Sequence, residues 1–600
     1  MKKFRKFVAV IPAMLAVASL VSCGGGETPV ETKNEFTVCI ASNPDTIDPA
    51  LNSAVDGATL IVHAFSGLLK LEKNSAGDVE IVPDVASEMP TYKTNADGSC
   101  TVTVKLKSGL KWSDGTSYDA NAFVYSWNRA ASGKTASDYG YMFDGIKNYA
   151  ACSADTTGAE KLGVSASSDG MTLTIELDNY LPYFDGLLAF PTFFPVNQKA
   201  VEANPDTWAT SPSTYISNGP MKLSSWTLNS NMVYEKNPNY FDADKVTCDK
   251  LTFALSDDDA SILTNYQNGS YDFIDTVPND QIKTLQASSP KEFFIDGIAG
   301  TYYISYNVSS PVFDAVADTE TKRESLRNGL NLLIDRNYIC DEIGQAGQTP
   351  GNGFVCSAIS DTDGSKWVSH NGPKHDGAGY YPVAAADLAS NRAKGVEMIK
   401  AAGFTYDETS KKFTNVPSFE YILNNSSGHI AIAEYLQSTF KQYGIEMKLV
   451  TSEWADFLNT RKAGGYTLAR NGWNADFDDA INFLDMWTSG SGNNDSQYGK
   501  GSNATVKHYS ADLNRDGSIG SGESNLTWSE SYDALVTLSR KETDKTKRSA
   551  ILHELEDLLM STGGICPIYN YTDVYMKKES MDGFYDNAFG YKYFMYCKKA

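Results

Sequence analysis

An α/β fold with more than one domain is what this sequence predicts, on three observations. The chain has 600 residues, more than one hydrophobic core holds. Short period-2 stretches alternate with helical periodicities along most of its length. Hydrophobic residues make up 42% and charged residues 21%, the composition of an ordinary globular protein without a disorder signature.

Taken in order, the first element is not part of the fold. Lys2, Lys3, Arg5 and Lys6 precede the apolar run Phe7–Val21, which reads as a signal peptide over residues 1–22. Small residues then lead into Cys23, an arrangement that resembles the lipobox of bacterial lipoproteins. In that reading Cys23 is lipidated, and two acyl chains suffice for stable anchoring. An ordinary secretory signal with an incidental cysteine is the alternative. Gly24-Gly25-Gly26 and the polar run to Asn34 have the composition of a flexible tether over 23–34.

The first strand is Glu35–Ile40, ended by the turn signal Asn43-Pro44-Asp45. An amphipathic helix follows over Ala58–Leu69. Cys100–Leu106 alternates as a half-buried strand does, and Asp119 caps a helix running to Arg129. Leu173–Leu177 is a further strand, and the proline-broken apolar run Phe190–Pro195 reads as a buried crossing segment. Past Ser309 helices and short strands alternate: helices over Thr321–Ile334, Leu388–Ala402, Ile430–Tyr443 and Ala455–Ala463, strands over Phe419–Leu423, Glu446–Val450 and Thr467–Ala469. A polar segment occupies Ser489–Gly522. Two helices, Glu530–Ser539 and Lys545–Met560, precede the strand Ile565–Tyr571.

Acidic residues number 74 against 51 basic ones, a formal charge of −23. That balance disfavours a nucleic acid or an anionic membrane surface as partner. No segment after the first 22 residues nears the ~18 apolar residues of a membrane span. Apart from Cys23 the cysteines are Cys39, Cys100, Cys152, Cys248, Cys340, Cys356, Cys566 and Cys597. Without a C-x-x-C pair they give no zinc or redox motif; disulfides and buried thiols are equally open. His63, His370, His375, His429, His508 and His553 are dispersed. No H-E-x-x-H, G-x-S-x-G or Walker loop is present, so no enzyme class is indicated and no organic cofactor is expected.

The stretch Leu110-Lys-Trp112-Ser-Asp114-Gly115-Thr-Ser-Tyr-Asp119-Ala-Asn-Ala-Phe-Val-Tyr125-Ser-Trp127 is more specific. It resembles the signature of solute-binding protein family 5, the oligopeptide-binding lipoproteins of bacterial ABC transporters. Asp48-Pro49, Phe65-Ser-Gly67-Leu68-Leu69, Asn218-Gly219-Pro220, Lys236-Asn237-Pro238-Asn239-Tyr240, Asn268-Gly269-Ser-Tyr-Asp272, Leu333-Ile334-Asp335-Arg336 and Ala401-Ala402-Gly403-Phe404 extend the likeness over nearly the whole chain. The resemblance implies a two-lobed periplasmic-binding-protein type II-like fold with an extra α+β domain inserted in the first lobe. The expected division is lobe I over 35–78, 215–300 and 562–600, the extra domain over 79–214, and lobe II over 301–561. Closure of the lobes would bury an oligopeptide, and the closed form would dock, as a monomer, on an ABC permease outside the cell membrane.

Arg470-Asn-Gly472-Trp473-Asn474-Ala-Asp476 resembles the ligand-binding segment of the peptide-binding branch. By that likeness Asp476 holds the peptide α-ammonium through a charge-assisted hydrogen bond. Gly472, Trp473 and Asn474 pair with the peptide backbone as an added strand does, opposite Ser53 and Val55. Arg470 and Arg461 match positions that receive a peptide carboxylate, and His429 a cleft position. Another solute, such as an oligosaccharide or a nickel complex, is the alternative on the same fold; a tethered hydrolase is the alternative of another class.

A separate signal is Asp512-Leu-Asn514-Arg-Asp516-Gly517-Ser518-Ile519-Gly520-Ser-Gly-Glu523. It fits the spacing of an EF-hand calcium loop, with Asp512, Asn514, Asp516, the Ser518 carbonyl and Glu523 as ligands. Ile519 takes the apolar anchor position. A structural calcium ion is expected there; a solvated acidic turn is the alternative.

Overall fold

The computed structural model describes residues 33–74 and 79–600. The expected signal peptide, the lipidation site Cys23 and the tether as far as residue 32 lie outside the described residues. Asn34, placed at the tether's end, belongs to the fold. Its side chain donates to the Thr247 carbonyl at 3.0 Å, and its backbone N–H to Asp249 at 2.8 Å.

One large mixed sheet organises the molecule. Its strands lie in the order Met447–Ser452, Phe419–Asn424, Leu468–Asn474, Phe293–Tyr306, Ile565–Lys577, Phe273–Ile274, Glu35–Ala41, Lys250–Leu255, Asn231–Lys236 and Met221–Thr227, with Thr349–Pro350 added on Ile565–Lys577. The strands Phe293–Tyr306 and Ile565–Lys577 are its longest, at 14 and 13 residues. They pair antiparallel from Phe293–Gly297, lose their register over residues 298–300, and resume at Thr301–Ser305. On one side of the break Ile565–Lys577 continues to Phe273–Ile274. On the other side Leu468–Asn474 joins Phe293–Tyr306. The sheet is thus two sheets sharing two strands, and an interrupted ladder at the crossing is the natural hinge between two bodies.

This pairing differs from the expected boundaries at two points. The boundary at 562 assigns the whole last strand to lobe I, yet residues 565–570 pair with the lobe II half of Phe293–Tyr306. The boundary between residues 78 and 79 cuts a hairpin, because Leu69–Lys73 pairs with Val79–Pro83.

The inserted region has its own antiparallel sheet, in the order Thr91–Thr94, Cys100–Lys105, Thr172–Leu177, Val164–Ala166. Cys100, Val102 and Val104 are buried while their neighbours are half-buried or exposed, as period-2 patterning requires. Helix Ala120–Ala131 packs on it, with the Asp119 carboxylate accepting the Asn121 N–H at 2.8 Å as N-cap. Trp127 on that helix donates to the Phe193 carbonyl at 2.8 Å, and Phe190, Phe193 and Phe194 are buried, as expected for a crossing segment. The helix expected over Ala58–Leu69 is Val55–Ala64, and Leu69 instead opens a strand.

All eight described cysteines are buried free thiols. Burial pushes the thiols of Cys39 and Cys356 up to about 12, so they stay protonated and inert. Among the described residues no helix is long and apolar enough to cross a membrane.

Candidate functional site

A cavity of about 480 Å³ lies at the hinge, lined from both halves of the large sheet and from the inserted region. Ser53, Val55, His429, Arg461, Arg470, Gly472, Trp473, Asn474 and Asp476 all face it. Its size is that of a small-ligand pocket.

The strand Leu468–Asn474 forms its floor. The strand expected over Thr467–Ala469 runs to Asn474. It runs on past Ala469 since the polar side chains there have tertiary partners: Arg470 Nε donates to Asn424 at 2.8 Å and Asn471 to Asp495 at 3.1 Å. One edge pairs with Gly300–Tyr306 throughout. The other edge meets Phe419–Asn424 only at Leu468 and Ala469, so residues 470–474 have no strand neighbour on that side among the described residues. Gly472 lets the Tyr571 ring lie against the strand, because a Cβ here would sit 2.3 Å from its hydroxyl and push the ring away.

Beyond the strand the chain turns back on Asn482. Its amide oxygen accepts the Asp476 N–H at 2.9 Å and the Trp473 indole N–H at 3.2 Å, and its nitrogen donates to Asp476 at 2.9 Å. The Tyr139 hydroxyl, from the inserted region, donates to the other Asp476 oxygen at 3.3 Å. Burial pushes the Asp476 carboxyl up to about 7, opposed by the hydrogen bonds from Asn482 and Tyr139 and reinforced by the Asp485 charge. Among the described residues no cation pairs with it. Asn482 lies close enough in sequence to read as a polar residue after the motif. Tyr139, more than three hundred residues upstream, leaves no such trace.

The other charges divide into compensated and uncompensated. Arg461 Nε lies 2.7 Å from Asp495, too oblique for a hydrogen bond but close enough to neutralise it. Its expected role as receiver of a ligand carboxylate therefore competes with an internal partner. Lys592 is buried between Asp573 at 2.6 Å and Asp275 at 3.3 Å. Arg470 has only neutral neighbours among the described residues: Asn424, and the rings of Trp454 and Phe457 at 5.2 and 5.5 Å. His429 stacks on Tyr302, and burial followed by the Arg470 charge holds its pKa well below the usual value, so it is neutral.

Contacts across the cavity hold the lobes together. Ser53 donates to Asp138 at 2.9 Å, and Asp138 pairs with Lys462 at 2.7 Å. Asp259 accepts the Ser427 N–H at 3.0 Å and so caps helix Ser427–Gln442, whose own N-cap Ser426 makes no side-chain cap.

The Asp512–Glu523 loop lies outside this cavity. Asp512 accepts the Gly517 N–H, Asn514 the Asp516 N–H and Asp516 the Ser518 N–H. Glu523 turns back onto the N–H groups of Leu513, Asn514 and Gly520. Its oxygens are therefore engaged by backbone N–H groups of the loop. Ile519, expected as an apolar anchor, is 50% exposed.

The oligopeptide-binding protein OppA of Bacillus subtilis is 27% identical over 607 residues, spanning 99% of each chain. The Escherichia coli murein tripeptide binding protein MppA gives a TM-score of 0.77 at 26% identity, over 94% of this chain and 98% of that one. An unliganded open form of MppA gives only 0.58 at the same identity, over 94% and 97%. The described lobes thus differ from the open arrangement, in keeping with the contacts across the cavity. The model of bacterial extracellular solute-binding proteins, family 5, matches residues 80–495, and the chain belongs to that family.

Proposed function

We propose that this protein is the extracellular receptor of an ABC importer and that it captures oligopeptides in the cavity at its hinge. The observation that carries the reading is Asp476, a buried carboxylate facing open space with only neutral partners. Leaving a buried charge unpaired costs several kcal/mol, and a ligand ammonium removes that cost. A strand edge open at 470–474 offers backbone pairing that does not read side chains. Arg470, also uncompensated, suits the ligand's carboxylate.

The relatives' printed names, oligopeptide and murein tripeptide, agree with such a ligand. The receptor binds and releases peptide without cleaving it, acts as a monomer outside the membrane through lipid on Cys23, and docks on permease subunits when closed. The Asp512–Glu523 loop takes a calcium ion once Glu523 turns from the backbone N–H groups to the cation.

Calorimetry with a tetrapeptide and its N-acetylated form tests the main reading. Asp476→Ala is expected to lower affinity for the free peptide about 100-fold or more, as loss of one partner of a buried charge pair does, and to leave the acetylated peptide little changed. Equal affinities before and after substitution would overturn the assignment. Native mass measurement of the co-purified ligand separates peptide from oligosaccharide or nickel complex. Recovery of every peptide intact separates receptor from hydrolase.

A further inference from the structure

Between the strand Thr349–Pro350 and the helix Leu388–Ala401 the chain makes a long excursion whose only helical structure is single 3₁₀ turns. Excursions of this length inside a compact domain are uncommon, and Glu556 already ties this one down by accepting the Phe354 and Val355 N–H groups and the Trp367 indole N–H. This one lies against helix Lys545–Ser561. The contact gathers Asp361 and His370 from the excursion and His553 from the helix. One ligand atom of each lies within 4.8 Å of the others.

The Asp361 carboxylate is oriented in advance. One oxygen accepts from Ser549 at 2.8 Å and from the Thr362 N–H at 2.6 Å. The other oxygen lies 2.9 Å from His553 Nε2 and 3.6 Å from His370 Nδ1. Two ligands of a tetrahedral zinc, each at about 2.1 Å, stand roughly 3.4 Å apart. The two observed separations fall either side of that value, so small side-chain rotations centre an ion.

The competing reading is an aspartate–imidazolium ion pair. His553 is only 4% exposed, and its Nδ1 is buried with no hydrogen-bond partner. A ring that ligates through Nε2 carries its proton on Nδ1, as an imidazolium also does, so the unpartnered Nδ1 does not separate the two readings. Trp367 stacks on the His553 ring at 3.8 Å and 11°, fixing its plane. His370 is half-exposed at the rim, giving an ion a way in.

We propose that Asp361, His370 and His553 form a site for a divalent transition metal ion of the zinc type, which staples the excursion to the helix. Two imidazoles and one carboxylate suit zinc and its first-row neighbours over calcium or magnesium. The staple stands behind the ligand cavity. Ser360, next to Asp361, donates both its N–H and its hydroxyl to Asp478 at 2.8 Å, and Arg548, on the helix of His553, pairs with Asp479 at 2.8 Å. Both aspartates follow Asp476 closely, after Phe477. The ion would stiffen the wall that carries the Asp476 carboxylate.

The test uses the full chain freed of metal with a chelator and titrated with zinc by calorimetry. One equivalent is expected to bind. His370→Ala, at an exposed position that the fold does not need, and Asp361→Asn, which keeps the shape, should each weaken zinc at least about tenfold. Both should leave the melting temperature of the metal-free protein within a few degrees of the parent, which separates loss of ligand from loss of fold. No zinc binding, or zinc binding that both variants retain, would overturn the proposal.

Discussion

Asp476 and Lys592 line one cavity and are both buried, yet they do opposite things. Lys592 is neutralised inside the fold by Asp573 and Asp275, and the two carboxylates keep its ammonium charged against the burial that disfavours it. Asp476 meets only a tyrosine hydroxyl and an asparagine amide. Burial is common to both, so burial does not mark the binding residue. The residual charge left after internal pairing does, because only that charge remains for a ligand to neutralise.

The largest expected effect breaks the compensated side of this comparison. Lys592→Met leaves the half-buried carboxylates of Asp573 and Asp275 without their shared cation and should lower folding stability by about 3–5 kcal/mol, read as a shift in the urea midpoint. Discrimination between free and N-acetylated peptides should persist in the variant. Its loss would mean that Lys592 also serves the ligand.

The uncompensated side comes next, through the Asp476→Ala peptide experiment. A pH experiment sharpens it. In the closed form the Asp476 carboxyl is raised to about 7, against 3.8 for the solvated group. The closed form therefore holds more protons than the open form between those values. The preference for the empty closed form that this group contributes is complete below about pH 4 and is lost as pH rises through 7. A lobe-to-lobe distance measured by energy transfer should lengthen over that range in the absence of peptide, and Asp476→Asn should flatten the trend. An unchanged trend in the variant would assign it elsewhere, with Asp485 the first suspect, since burial pushes it up to about 6.

The smallest effect concerns the Asp512–Glu523 loop, whose carboxylates are occupied by their own backbone. Calcium added to the chelated protein should raise the melting temperature by about 2 °C, the equivalent of roughly 1 kcal/mol or less. Asp512→Ala should remove the rise. No rise at millimolar calcium would leave the loop a hydrogen-bonded turn.

Much of the fold is legible in the chain because its signals are local. Cys100–Lys105 alternates, Asp119 caps its helix, and prolines break the aromatic run Phe190–Phe194. The errors have physical causes of one kind. The strand Leu468–Asn474 outruns its apolar pattern because Arg470 and Asn471 find partners in Asn424 and Asp495. The last strand straddles two lobes because its pairing partner does, and no composition change marks the crossing. The tether ends one residue early because Asn34 bonds to residues 247 and 249.

The same distinction holds for the sites. The run from Arg470 to Asp476 is contiguous, so sequence alone suffices to nominate it, and the acidic balance and absent enzyme motifs narrow the class of partner. What that run lacks internally, a cation for Asp476 and an anion for Arg470, is a property of neighbours brought from positions 139, 424, 454 and 482. Asp361, His370 and His553 read along the chain as scattered residues, and only the docking of the excursion on a distant helix makes them neighbours. Sequence determined which groups this protein owns and where its local structure starts and stops. Tertiary structure decided which charges are already neutralised, because Coulomb and hydrogen-bond partners act over a few ångströms of space, irrespective of their separation along the chain.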